Sequence, residues 1–110
     1  MLTDEVRYKL LRLLESNPTV SQRDAARELG VSVGKVNYCL KALMSQGWVK
    51  ASNFKNSQNK IAYMYLLTPR GIKEKGRVTL RFLQRRMEAY DALRAEIERI
   101  RAEANGQIKR

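Results

Sequence analysis

Ala26 and Gly30 stand four residues apart, and Val31, Val36 and Leu40 follow them at fixed offsets. That spacing narrows the available packings more than any other feature of the chain. Two short helices that meet at a steep angle need a small side chain at their closest approach, because a larger one would force them apart; Ala26 supplies it. The turn that follows needs a left-handed residue, a conformation glycine adopts without a Cβ penalty, and Gly30 is placed for it. Val31, Val36 and Leu40 then fasten the second helix to the first. Ser21 reads as the N-cap of the first helix, with Asp24 three residues on in a capping-box-like pattern, and Ser32 as the N-cap of the second. The stretch from Gln22 to Lys41 thus reads as a helix-turn-helix.

The flanking segments extend this unit in a definite order. Upstream, Val6, Leu10, Leu13 and Leu14 recur at helical steps, with Thr3 as N-cap, Asp4 and Glu5 at the positive end of the dipole, and Asn17-Pro18 as the stop. The helix that opens at Ser32 is expected to run to about Gln46, with Val33, Val36, Leu40 and Leu43 on its inner face and Gly47 closing it. Trp48–Ser52 and Ile61–Leu67 read as strands of a hairpin with a long polar tip between them. Thr68-Pro69 opens a last helix, expected to reach about Ala104, roughly 54 Å at 1.5 Å per residue. The fold class is mainly α, an α+β winged helix-turn-helix: a three-helix core, a two-stranded wing and a long C-terminal helix. The boundaries are 1–68 for a DNA-binding domain, 69–105 for a dimerisation helix and 106–110 for a tail.

Charge narrows the class of partner. Lys and Arg number 22 against 11 Asp and Glu, for a net charge of +11. Residues 1–20 balance at zero, residues 21–67 carry seven bases and two acids, and residues 68–110 twelve and six. A basic face of this kind suits a polyanion, because neutralising phosphates releases counterions. The chain has no histidine and one cysteine, Cys39. A His-ligated metal site, a Ser-His-Asp triad, a Cys-His pair and an intrachain disulfide are excluded, and neither an enzyme nor a cofactor is expected. Cys39 reads as a core residue of its helix, not as a redox switch. The first residues are acidic and carry no long apolar run, so a signal peptide or membrane span is not expected and a cytoplasmic location is.

Within the helix-turn-helix, the residues off the inner face of the second helix are the candidates for the major groove: Ser32, Gly34, Lys35, Asn37, Tyr38 and Lys41. Ser32 and the amides beside it can hold a phosphate, Lys35 can reach guanine, Asn37 can pair with the edge of adenine, and Tyr38 can meet a thymine methyl or a phosphate. Gly34 permits close approach, and Lys41 suits a phosphate. At the wing tip Lys55, Asn56 and Lys60 offer donors without an acid nearby. In the last helix Leu83, Met87, Tyr90, Leu93, Ile97 and Ile100, with Leu80 and Ala104, form a stripe close to a heptad seam, with one irregular step at Tyr90–Leu93. The interspersed Glu88, Glu96, Glu98 and Glu103 suit a partner helix better than an anionic membrane. The partners expected are double-stranded DNA and a second copy of the chain. A protein-interaction module without specific DNA binding is the alternative.

The runs Leu29–Leu43, Gly47-Trp48-Val49-Lys50, Asn53-Phe54-Lys55-Asn56 and Tyr65–Ile72 resemble the short MarR-type winged-helix regulators associated with exopolysaccharide genes. The likeness spans about residues 5–100. The helix-turn-helix and the Leu67-Thr68-Pro69 exit with Gly71 are generic to winged helices, whereas Gly34–Leu43 together with Gly47–Lys50 and Asn53–Asn56 is narrower. The resemblance implies a bacterial homodimer that binds an inverted repeat near polysaccharide genes. Ordinary MarR proteins add helices at both ends to build a dimer interface holding a small-molecule pocket. Here the first helix starts at the N-terminus and one helix follows the wing, so no effector is assigned.

Overall fold

The computed structural model describes residues 2–55 and 57–108. Helix α1 (Asp4–Ser16) opens where Thr3 Oγ1 accepts a hydrogen bond from the Val6 amide, and it buries Leu10, Leu11 and Leu14 on one face. Helix α2 (Gln22–Leu29) opens on Ser21, whose hydroxyl accepts from the Asp24 amide at 3.0 Å. It ends at Gly30, φ +70°, where the Val31 amide reaches back to the Ala26 carbonyl and the Gly30 amide to that of Arg27. Those two bonds satisfy carbonyls that the helix end would leave open. Helix α3 (Val33–Ser45) opens on Ser32, whose hydroxyl accepts from the Lys35 amide at 3.1 Å. The same closing device recurs at Gly47, φ +77°, with Trp48 bonded to Leu43 and Gly47 to Met44.

Strands β1 (Val49–Lys55) and β2 (Ile61–Leu67) pair antiparallel, from Val49 opposite Leu67 to Lys55 opposite Ile61. The core gathers Leu10, Leu11 and Leu14 of α1, Ala25 and Ala26 of α2, and Val36, Cys39, Leu40 and Leu43 of α3, closed by Trp48, Val49 and Tyr65. The Tyr65 amide also donates to the Pro18 carbonyl at 2.9 Å, which ties the wing to the turn after α1.

Helix α4 (Pro69–Ile108) leaves the wing through a tight junction. Thr68 donates its hydroxyl proton to the Gly47 carbonyl at 2.6 Å, and its Oγ1 accepts from the Gly71 amide at 3.0 Å. A Cβ at position 71 would fall on the Trp48 carbonyl, so only glycine allows this approach. Val78 of α4 is fully buried in the core. Phe82 stacks on Tyr8 of α1 with centroids 5.0 Å apart, and the Arg86 guanidinium lies over the Phe82 ring. Beyond this contact α4 projects away, giving a molecule 73 Å long and 29 by 22 Å across. Among the described residues no helix is long and apolar enough to cross a membrane.

Three details differ from the sequence expectation. Val33 is not on the inner face of α3 but is 45% exposed, because the buried stripe begins one turn later at Val36 and continues through Cys39. Strand β1 runs past Ser52 to Lys55, so Asn53 and Phe54 belong to the ladder and the connection between the strands is shorter than expected. Helix α4 continues to Ile108, past the expected end near Ala104. In its first turns Gly71 is required by Trp48, and Gly76 lies in open space.

Charged contacts fix α4 against α1. Asp4, 6% exposed, accepts from Arg81 Nε at 3.0 Å, from Arg81 Nη2 and from Arg7, with Arg85 at 3.8 Å. Glu5 pairs with Arg86 and Glu15 with Lys75, each at 2.9 Å. The Arg81 hydrogen bond holds the Asp4 carboxyl below its ordinary range, outweighing desolvation, which acts the other way.

Two stability experiments follow. Gly71→Ala is expected to cost about 1–3 kcal/mol by forcing the Trp48 backbone to move, seen as a lower denaturant midpoint at unchanged slope. The depressed Asp4 pKa adds stability that is complete above the unfolded value near 4 and fades as pH falls through the folded value. Asp4→Asn is therefore expected to lower stability at pH 7 by on the order of 1 kcal/mol, since its arginines keep water contact. The same substitution should weaken the acid dependence below about pH 4 in urea melts.

Candidate nucleic-acid interface

No acid occurs between Glu28 and Glu74, a stretch that holds Lys35, Lys41, Lys50, Lys55, Lys60, Arg70 and Lys73. The fold turns this stretch into α3, the wing and the start of α4. The acids of α1 face α4, so the surface formed by α3 and the wing has no internal counter-ion within its own segment.

On α3, Ser32, Gly34, Tyr38 and Lys41 are exposed and Lys35 and Asn37 are half-buried. Ser32 is occupied as the cap, while the amides of the first helical turn have no partner within the helix by geometry. A Cβ at Gly34 would meet only the Ser32 hydroxyl, at an ordinary contact distance of 3.9 Å. Lys55, the last residue of β1, and Lys60, in the tip, are exposed. Asn56 lies outside the described residues.

Asn37 is not an isolated polar side chain. Its Nδ2 donates to Gln22 Oε1 at 3.2 Å, and Gln22 Nε2 donates to the Tyr65 hydroxyl at 3.1 Å. One chain of hydrogen bonds thus joins the wing, the first residue of α2 and the middle of α3. Donation to Gln22 uses one amide proton of Asn37 and leaves its second proton and Oδ1 for an outside group. Tyr65 also orients the wing. Side chains alternate along a strand, so Tyr63 and Ile61 continue the Tyr65 face outward, where they are 60% and 71% exposed. The sequence reading passed over Gln22, Tyr63 and Tyr65. The aromatic alternation at positions 63 and 65 was visible, but the pairing with Gln22 depends on a contact 43 residues apart.

Cys39 is fully buried, and burial pushes its thiol above the ordinary value. It packs in the core under α3, away from the exposed face. The residues expected at a dimer seam, Leu83, Met87, Tyr90, Leu93, Ile97 and Ile100, are 44–63% exposed along the projecting part of α4.

Comparison with known proteins agrees with this geometry. Residues 3–50, from the cap of α1 into β1, match the family described as winged helix-turn-helix DNA-binding. Among solved structures, the transcriptional regulator PcaV from Streptomyces coelicolor, in complex with its natural ligand, is 19% identical at a TM-score of 0.57 over 71% of this chain and 54% of that one. A point mutant of ZitR from Lactococcus lactis is 21% identical at a TM-score of 0.59 over 79% of this chain and 57% of that one. A MarR/EmrR family transcriptional regulator from Acinetobacter sp. ADP1 is 19% identical at a TM-score of 0.55 over 90% and 74%. The chain thus spans little more than half the length of the first two. No curated protein sequence matches it. At these identities the likeness is one of fold. Residues 3–50 are thus similar to the winged helix-turn-helix DNA-binding family, and the fold as a whole is similar to that of solved transcriptional regulators, one of them of the MarR/EmrR family.

Proposed function

We propose that this chain is a sequence-specific transcriptional regulator that binds an inverted repeat in duplex DNA as a homodimer. The observation that carries this reading is the acid-free stretch from Leu29 to Lys73, which folds into α3, the wing and the start of α4 and leaves Lys41, Lys55 and Lys60 exposed. In it, α3 enters the major groove with Ser32, Gly34, Lys35, Asn37, Tyr38 and Lys41, and the wing meets the backbone or minor groove with Lys55, Asn56 and Lys60. Gln22 steadies Asn37 so that its free amide proton and Oδ1 match N7 and N6 of adenine. Residues 1–68 act as the reading head, 69–105 as the dimerisation helix and 106–110 as its tail. The exposed stripe of α4 pairs with that of a second copy, placing two recognition helices about 34 Å apart. The expectation that the targets are exopolysaccharide genes rests on the sequence resemblance alone.

Selection of the purified protein against a random duplex library at about 150 mM salt should recover one inverted repeat, with half-sites about one helical turn apart. Affinity for it should fall steeply with added salt. Lys55→Ala should weaken all duplexes alike, whereas Asn37→Ala should relax preference at one base pair, and Gln22→Ala at the same pair by a smaller amount. No coherent motif and no duplex affinity would favour a protein-interaction module instead.

The dimer has its own test. Leu93→Asp with Ile97→Asp should give monomers in sedimentation and a large loss of operator affinity. An undiminished dimer would remove α4 from the interface.

A further inference from the structure

From Leu83 to Gln107 every side chain of α4 is exposed, and its apolar positions are arranged about Tyr90. Met87 and Leu93 lie three residues to either side of it, Leu83 and Ile97 seven, Leu80 and Ile100 ten, and the small residues Gly76 and Ala104 fourteen. The irregular step of the heptad pattern falls at this centre, so the seam reads alike in both directions.

Charge along α4 does not read alike. Residues 69–87 hold seven bases and one acid, whereas residues 88–108 hold five acids and three bases. Asp4, Glu5 and Glu15 of α1 offset part of the first excess and leave it positive.

We propose that two copies pair through α4 in opposite directions, crossing at Tyr90, and that this antiparallel rod sets the distance between the two reading heads. The proposal rests on the homodimer reading above and specifies its geometry. Reversal about Tyr90 sets Leu83 against Ile97 of the second copy and Gly76 against Ala104. It lays each basic half beside an acidic half, with Lys75 near the level of Glu103 and Arg86 near that of Glu96. Pairing in the same direction stacks basic half on basic half and acidic half on acidic half, which charged flanks of a helix pair select against. Two shallow concavities fit the reversed arrangement. One is bordered by Ile72, Gly76 and Leu80, the other by Ile100, Glu103 and Ala104, and reversal brings them face to face.

Length supports the same orientation. Val78, the fully buried anchor of α4 in the head, stands twelve residues before Tyr90, or about 18 Å at the helical rise. In the reversed pair the two anchors are about 36 Å apart along the rod, close to one turn of B-DNA. In a same-direction pair they are only one interhelix distance apart, about 8–10 Å.

Cysteine cross-linking of the full chain separates these outcomes. The native Cys39 is buried, so the unmodified protein serves as the blank. A disulfide requires Cα atoms within about 7 Å. Leu83→Cys and Ile97→Cys proteins, mixed to exchange subunits and mildly oxidised, should give several-fold more covalent dimer than either alone. Efficient cross-linking of Leu83→Cys by itself would establish a same-direction pair and overturn the proposal while leaving the homodimer intact. Sedimentation of the unmodified chain as a monomer would overturn both.

Discussion

The position of everything outside the three-helix core depends on Thr68. Its hydroxyl donates to the Gly47 carbonyl and accepts from the Gly71 amide, while its own amide donates to the Trp48 carbonyl. One residue therefore satisfies the end of α3, the base of the wing and the start of α4 together. Because Gly71 has no Cβ, α4 can start against the Trp48 backbone, and this close approach sets its direction. Val78 then drops into the core and Phe82 onto Tyr8, so the direction chosen at the junction is kept over the next turns. A shift here would move the wing relative to α3 and α4 relative to both.

The second organising constraint is the segregation of charge. A chain with twice as many bases as acids cannot pair them all. This fold uses the carboxylates of α1 on the bases of α4, where Asp4 is buried among arginines. Burying a carboxylate costs heavily unless it is both paired and hydrogen-bonded, and Asp4 meets both conditions. The consequence is polarity of the whole head: on the side toward α4 the acids of α1 offset part of the basic excess, and the side formed by α3 and the wing keeps its lysines without an acid in the same stretch of sequence.

Most of the fold was legible because its determinants are local. Thr3, Ser21 and Ser32 each cap a helix three residues upstream of the amide they accept from, and Gly30 and Gly47 end helices in the left-handed region, so sequence spacing alone located five helix ends. What escaped was tertiary. Val33 fits the apolar period of α3 but lies one turn before α2 and the core can cover it. The end of β1 at Lys55 depends on pairing with Ile61, not on the strand propensity of Asn53, which is poor. The link from Tyr65 through Gln22 to Asn37 joins three elements, and no spacing rule foretells it. At the candidate site the residue types on α3 could be read in advance, but Asn37 looked like a free reader when it is in fact held from behind.

That restraint bears on how such a face could discriminate bases. An unrestrained asparagine loses rotamer freedom on binding and can present its amide in either sense, so part of its interaction free energy goes into ordering. Donation to Gln22 fixes the sense of the amide in advance and leaves Oδ1 and one proton for a further partner, and Tyr65 fixes Gln22 from the wing. The same tyrosine lies on the strand face that continues to Tyr63 and Ile61, so a displacement of the wing by a DNA backbone would act on the hydrogen bond that holds Asn37. In the proposed complex, affinity from the wing and selectivity from α3 would then be coupled through a single side chain of α2, and substitutions at the two elements should not be additive.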